Sequence, residues 1–222
     1  MSINRRKFIQ AGITVGSILS LSGYGCKPAG FQPNSDGQKD AEVAMPPFQL
    51  DEITISGLRD QLAAGELSCR AVTEMYLQRI DELNMKGPRL YAVLETNPDA
   101  MKIAEQLDNE LQESGPRGPL HGIPILLKDN VDTSDRMTTT AGSTALQGSI
   151  PLQDSFVAQR LREASAVLLG KANMSEWAGW KSFERGTPGW SGRGWNGGQG
   201  DFCRNPYALD RVPGGSSSGS GV

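Results

Sequence analysis

Two short apolar runs constrain this chain more than any other feature. Ile123-Pro124-Ile125-Leu126-Leu127 follows Gly122 and ends at Lys128, and Ala166-Val167-Leu168-Leu169 ends at Gly170. Each is too short for a buried helix and too continuous for a strand with one wet face, so both read as strands covered on both sides. Between them Phe156, Val157, Leu161 and Ala164 recur at helical spacing. Strand, helix, strand in that order predicts an α/β fold with the two runs paired in parallel.

Upstream, Ile53, Leu58 and Leu62 predict a helix that stops at Gly65. Ser68 then caps a second helix carrying Val72, Met75, Tyr76, Ile80 and Leu83. A strand is expected at Tyr91-Ala92-Val93-Leu94. After Pro98, a helix runs through Met101, Ala104, Leu107 and Leu111 and ends before Gly115-Pro116. These helices are expected to cover the sheet. Downstream, 11 of the 27 glycines fall between Gly186 and Gly221, which predicts a long loop of the kind that usually carries function.

Met1 to Gly30 stand apart. Arg5-Arg6-Lys7-Phe8 precedes an apolar stretch from Ala11 to Leu21, a pattern that resembles a twin-arginine export signal and is too short to span a bilayer stably. Leu21-Ser22-Gly23-Tyr24-Gly25-Cys26 resembles a lipoprotein cleavage site, with Tyr24 where a small residue is usual, so lipidation of Cys26 is left open. Residues 31–49 read as a linker. The expected location is exported, either periplasmic or held at the membrane through Cys26. From residue 50 to residue 222 the chain reads as one folded portion.

With 222 residues, 22 Lys+Arg and 25 Asp+Glu, the chain has room for one or two domains. It lacks the bulk positive charge that draws a protein to nucleic acid. One His and three Cys are too few for a His/Cys zinc site or a disulfide scaffold, and no cofactor is expected. Pairing of Cys69 with Cys203 is left open, as is the oligomeric state.

Several local patterns bear on chemistry. Gly192-Arg193-Gly194-Trp195-Asn196-Gly197 has dinucleotide-loop spacing, but no strand precedes it and Trp195 is too bulky for the turn. Gly215-Ser216-Ser217-Ser218-Gly219 has nucleophile-elbow spacing, but the only histidine, His121, precedes it, whereas the elbow's base follows it. By composition alone Gly214–Val222 also fits a flexible linker. His121 is expected to be structural, and Trp177, Trp180, Trp190 and Trp195 either pack or line a substrate channel. Lys128, at the end of a core strand, either snorkels to solvent or is retained as an amine whose burial favours the uncharged, basic form.

Five motifs then occur in a telling order. They are Gly122 through Asn130, Thr140-Ala141-Gly142-Ser143, Leu169 through Trp177, Arg204-Asn205-Pro206-Tyr207, and Gly214-Gly215-Ser216-Ser217-Ser218-Gly219-Ser220. From about Leu50 onward the chain resembles the amidase signature family, and within it the peptide amidases by the surroundings of Gly189-Trp190-Ser191 and Gly198-Gln199. The resemblance implies an α/β/α sandwich around a mixed sheet, of which this chain supplies the first part. It also implies a Ser-cisSer-Lys triad acting on a small-molecule or peptide amide. Lys128 matches the lysine base, and Ser216 matches the relay serine, whose bond to the next residue is expected to be cis. The family's nucleophilic serine lies about two dozen residues beyond the relay serine and has no counterpart here. The chain is therefore expected to be truncated and inactive by itself. The other open reading is a non-catalytic, exported, surface-anchored binding or remnant protein.

Overall fold

The structure, a computed structural model, describes residues 47–179, 190–193 and 201–222. The export signal, Cys26 and most of the linker therefore lie outside the described residues. The linker's last residues, however, belong to the folded part: Phe48 packs edge-on against Tyr76, with ring centroids 5.2 Å apart, and the Arg79 guanidinium sits 5.2 Å from the same Phe48 ring.

Helix α1 spans Ile55–Ala63, with the Thr54 hydroxyl accepting the Gly57 N–H at 3.0 Å. Helix α2 spans Cys69–Ile80, capped at its start by Ser68 as the sequence predicts, and continues into a π-helical turn at Asp81–Met85. Strand β1 is Val93–Thr96 and helix α3 is Ala100–Ser114. Asp108 of α3 reaches across to the start of α2, its two carboxylate oxygens accepting the Cys69 and Arg70 N–H groups at 2.6 and 3.0 Å. Strand β2 is Pro124–Lys128, helix α4 is Phe156–Glu163 and strand β3 is Val167–Ala172.

The sheet order is β1-β3-β2, with β2 parallel to β3 and β1 antiparallel to it. The parallel pair matches the sequence reading, and the mixed sheet matches the family resemblance. Strand β1 runs antiparallel because both of its ends are tied to β3. The Asn97 N–H and side-chain amide donate to Leu169 O and Leu168 O, each at 2.8 Å, and the Asn173 N–H donates to Ala92 O at 2.7 Å. Strand β3 runs three residues further than the apolar run suggests. Gly170 is required there because a Cβ would lie 2.4 Å from the Glu95 carbonyl.

Helices cover both faces. Leu58, Leu62, Val72, Ala104 and Leu107 pack with Ile123, Val167 and Leu169 on one side, while Met137 and Ala158 pack with Leu127 and Leu168 on the other. Burial of this kind contributes roughly 1.5–3 kcal/mol per large apolar side chain. Helix α4 departs from expectation. Phe156 and Val157 face solvent, because this eight-residue helix docks through Ala158 and Leu161 one step further round. The glycine-rich region is not all loop. A two-residue ribbon pairs β4, Trp190–Ser191, with β5, Asp201–Phe202, and a last turn of helix, α5, spans Ser218–Gly221.

Candidate active site

Strands β2 and β3 run parallel, so their carboxyl ends form one edge, the usual place for a site in an α/β sheet. Lys128 is the last residue of β2 on that edge. Its Nζ donates to Ser216 Oγ at 3.2 Å and to Ser217 Oγ at 2.9 Å. The side chain is partly buried, between the two alternatives the sequence left open, with its nitrogen resting on hydroxyls.

The serine turn is fastened to the sheet rather than loose. The Ser175 N–H donates to Ser216 O at 3.1 Å, the Ser175 hydroxyl to Gly215 O at 3.3 Å, and the Gly219 N–H to Asn173 O at 2.9 Å. Gly214 and Gly215 take φ of 78° and 67°, which glycine adopts without strain. A Cβ on Gly219 would lie 2.1 Å from Ala92 O. These contacts replace the linker reading of this segment. The expected cis linkage after Ser216 is also corrected, since every peptide bond among the described residues is trans. Trans is favoured by about 3 kcal/mol away from proline, and both hydroxyls reach Lys128 without the cis form.

Asp129, directly after the lysine, is fully buried. It accepts the Thr140 hydroxyl, the Gly142 N–H at 2.9 Å and Arg193 Nη1 at 3.1 Å. Burial pushes its carboxyl above the usual range, while these donors and the charges of Arg193 and Lys171 pull it back. The Arg193 guanidinium also grips Glu95, which takes the Thr138 hydroxyl at 2.6 Å. Nothing in the sequence announces this network, whose partners lie 64 and 98 residues apart.

Lys171 is the second lysine of the edge, and its role is invisible in the sequence. It is fully buried, donating to Val131 O at 2.7 Å and to Thr139 Oγ1 at 2.8 Å. Desolvation pulls its pKa down, opposed by Asp129, Asp135, Glu95 and Asp132.

The remaining sequence candidates fall outside this edge. His121 is buried and structural: its Nδ1 accepts the Arg117 N–H at 3.2 Å, leaving Nε2, 3.0 Å from Leu107 O, as the donor to that carbonyl. Cys69 and Cys203 are both free thiols, and burial pushes each up to about 12. The first starts α2 under Gly122 and the second follows β5 near Ser218, so they serve separate packing sites. Of the dinucleotide-like run, Gly194 to Gly197 lie outside the described residues, as do Trp180 and Trp195 and the side chain of Trp190.

Comparison with known proteins agrees with this geometry. A family profile described as Amidase matches residues 71–222. A probable amidase of Arabidopsis thaliana is 46% identical over 177 residues, covering 79% of this chain and 33% of the relative. A glutamyl-tRNA(Gln) amidotransferase component from Acidothermus cellulolyticus is 40% identical over 164 residues, covering 73% of this chain and 29% of its own length. Among solved structures, the native peptide amidase from Stenotrophomonas maltophilia is 50% identical with a TM-score of 0.70, covering 78% of this chain and 34% of that one. The chain thus spans about a third of the length of these relatives. With the five motifs, the sheet and the matched profile in agreement, the chain belongs to the amidase family.

Proposed function

We propose that this chain carries the lysine and relay serine of an amidase that hydrolyses carboxamides, C-terminal peptide amides among them, by a serine-serine-lysine mechanism. The observation that supports the reading is the contact of Lys128 Nζ with the Ser216 and Ser217 hydroxyls at 3.2 and 2.9 Å. An uncharged Lys128 would draw the Ser216 proton along that line. Ser216 would in turn deprotonate a nucleophilic serine and later protonate the leaving amine. The family's nucleophile position has no counterpart in residues 1–222, so the 222-residue chain alone is proposed to release no ammonia. Export through the Arg5-Arg6 signal, with Cys26 as a lipid acceptor, belongs to the same proposal. Mass spectrometry of the mature N-terminus tests it, an unprocessed Met1 counting against it.

The activity test uses the protein expressed from its gene and measures ammonia released from a C-terminal peptide amide. Lys128→Ala and Ser216→Ala are each expected to lower turnover by roughly 10²–10⁴ with the melting temperature preserved. A Lys128→Ala protein with undiminished turnover would remove the basis of the reading.

A further inference from the structure

A cavity of about 430 Å³ opens at the same edge, lined in part by Asn130, Asp132, Ser149, Met174 and Trp177. Its size falls within the range of small-molecule sites. Asn130 lies two residues beyond Lys128, where β2 ends, and Met174 two residues beyond Ala172, where β3 ends. Met174 also precedes Ser175, whose N–H and hydroxyl hold the serine turn. The cavity and the lysine-serine contact are thus built from consecutive stretches of the same two strand ends.

The wall carries strained backbone. Ala141, Trp177 and Ala178, all wall residues, take φ of 50°, 48° and 58°, in the left-handed region that non-glycine residues avoid. The Trp177 N–H donates to Ala141 O at 2.9 Å, so two of these strained positions brace each other across the cavity wall. Strain of this kind persists where surroundings enforce it, and it concentrates at ligand-binding places.

The charge of the wall is one-sided. Asp132 is its single ionisable residue, and the carboxylate makes no ion pair among the described residues. The two bonds from Ser155, at 3.0 Å each, go to the Asp132 backbone carbonyl and leave the carboxylate available. Lys171 lies behind Thr139, fully buried and committed to Val131 O and Thr139 Oγ1, so it cannot touch an occupant. The exposed acid therefore favours a cation and disfavours a free carboxylate, while the half-buried Trp177 offers apolar surface.

We infer that this cavity holds the amino-terminal end of a small peptide amide, Asp132 taking the ammonium and Trp177 packing against an apolar side chain. The inference rests on the amidase reading for the identity of the ligand, and its test requires no turnover. Calorimetric titration of the 222-residue chain with alanyl-phenylalaninamide, its N-acetyl form and free alanyl-phenylalanine compares a cationic amide, a neutral amide and a carboxylate. The cationic amide is expected to bind about threefold tighter than the acetylated one, as for an exposed ion pair, and the free dipeptide more weakly than its amide. Asp132→Asn should abolish the difference between the first two. Ser149→Trp, at an exposed wall position, should weaken all three. Equal affinities for the two amides, an Asp132→Asn chain that keeps the preference, or no binding of any probe would overturn the assignment. If the amide binds as described while the gene's product releases no ammonia, the pocket stands and the amidase reading falls. If ammonia is released with KM unchanged in Asp132→Asn, the pocket alone falls.

Discussion

Lys128 and Lys171 sit one register step apart on adjacent parallel strands, yet their surroundings differ sharply. Leu127 pairs with Lys171 and Lys128 with Ala172, so the pleat sends the two side chains to opposite faces of the sheet. On one face Lys128 is partly exposed and donates to two serine hydroxyls, groups able to take up and pass on a proton. On the other face Lys171 is sealed and bonded to a carbonyl and a threonine in the loop that follows β2. Burial alone does not make a lysine reactive. Both nitrogens meet a hydroxyl; what distinguishes the two is that Lys128 meets its serines at a partly exposed place, whereas Lys171 and its Thr139 partner are sealed inside.

The sharpest way to break this contrast is to delete each amine in turn. In the gene's protein, Lys128→Ala should reduce amide hydrolysis by roughly 10²–10⁴ while shifting unfolding free energy by less than about 1 kcal/mol. Lys171→Ala should destabilise by about 3–5 kcal/mol in denaturant titrations, because it strands Val131 O and removes a positive neighbour of buried Asp129. A reversed pattern, with Lys128→Ala unfolding the chain and Lys171→Ala leaving its stability intact, would sink the comparison. Gly219→Ala should cost about 1–3 kcal/mol, since its Cβ would meet Ala92 O and Asn173 N. It should also weaken turnover by displacing the serines from Lys128.

Acidity sharpens the contrast further. The folded pKa of Lys171 lies below its ordinary 10.5, so across the window between the lowered value and 10.5 the unfolded chain binds more protons. Stability should therefore rise with pH in that window, and the wild-type melting temperature should gain on that of Lys171→Met as pH approaches 10. Asp129 works in the opposite sense. Its raised pKa makes the fold lose stability as pH climbs from the ordinary carboxyl value of 3.8 through the raised one, a trend that Asp129→Asn should remove. The smallest effect is expected for Ser217→Ala, within about 0.5 kcal/mol in stability, because the hydroxyl belongs to an exposed contact.

Much of the sheet was legible because apolar runs of strand length have few alternatives. The β2-α4-β3 unit and the Ser68 cap followed from periodicity and cap chemistry. Lys128 and Ser216 were legible through the ordered motifs, and the structure brings their side chains together. Lys171 lies within the third motif, Leu169 through Trp177, but a lysine after a glycine reads as the end of a strand. Only tertiary partners 32 and 40 residues away make its burial tolerable. The Arg193 clamp was hidden for the same reason, and the solvent-facing Phe156 and Val157 show that helical spacing does not say which residues of a short helix dock. The antiparallel course of β1 depended on Asn97 and Asn173, side chains and backbone whose partners no local pattern reveals.

The carboxylate of Asp108 at the start of α2 carries one more consequence. It completes the first turn of a helix to which it does not belong, so sliding α3 by a single turn would take the carboxylate away from two amides at once, the amide of buried Cys69 among them. That makes the pair a keyed joint. Neither helix can find its final seating before the other, and the two should melt and re-form as one cooperative unit.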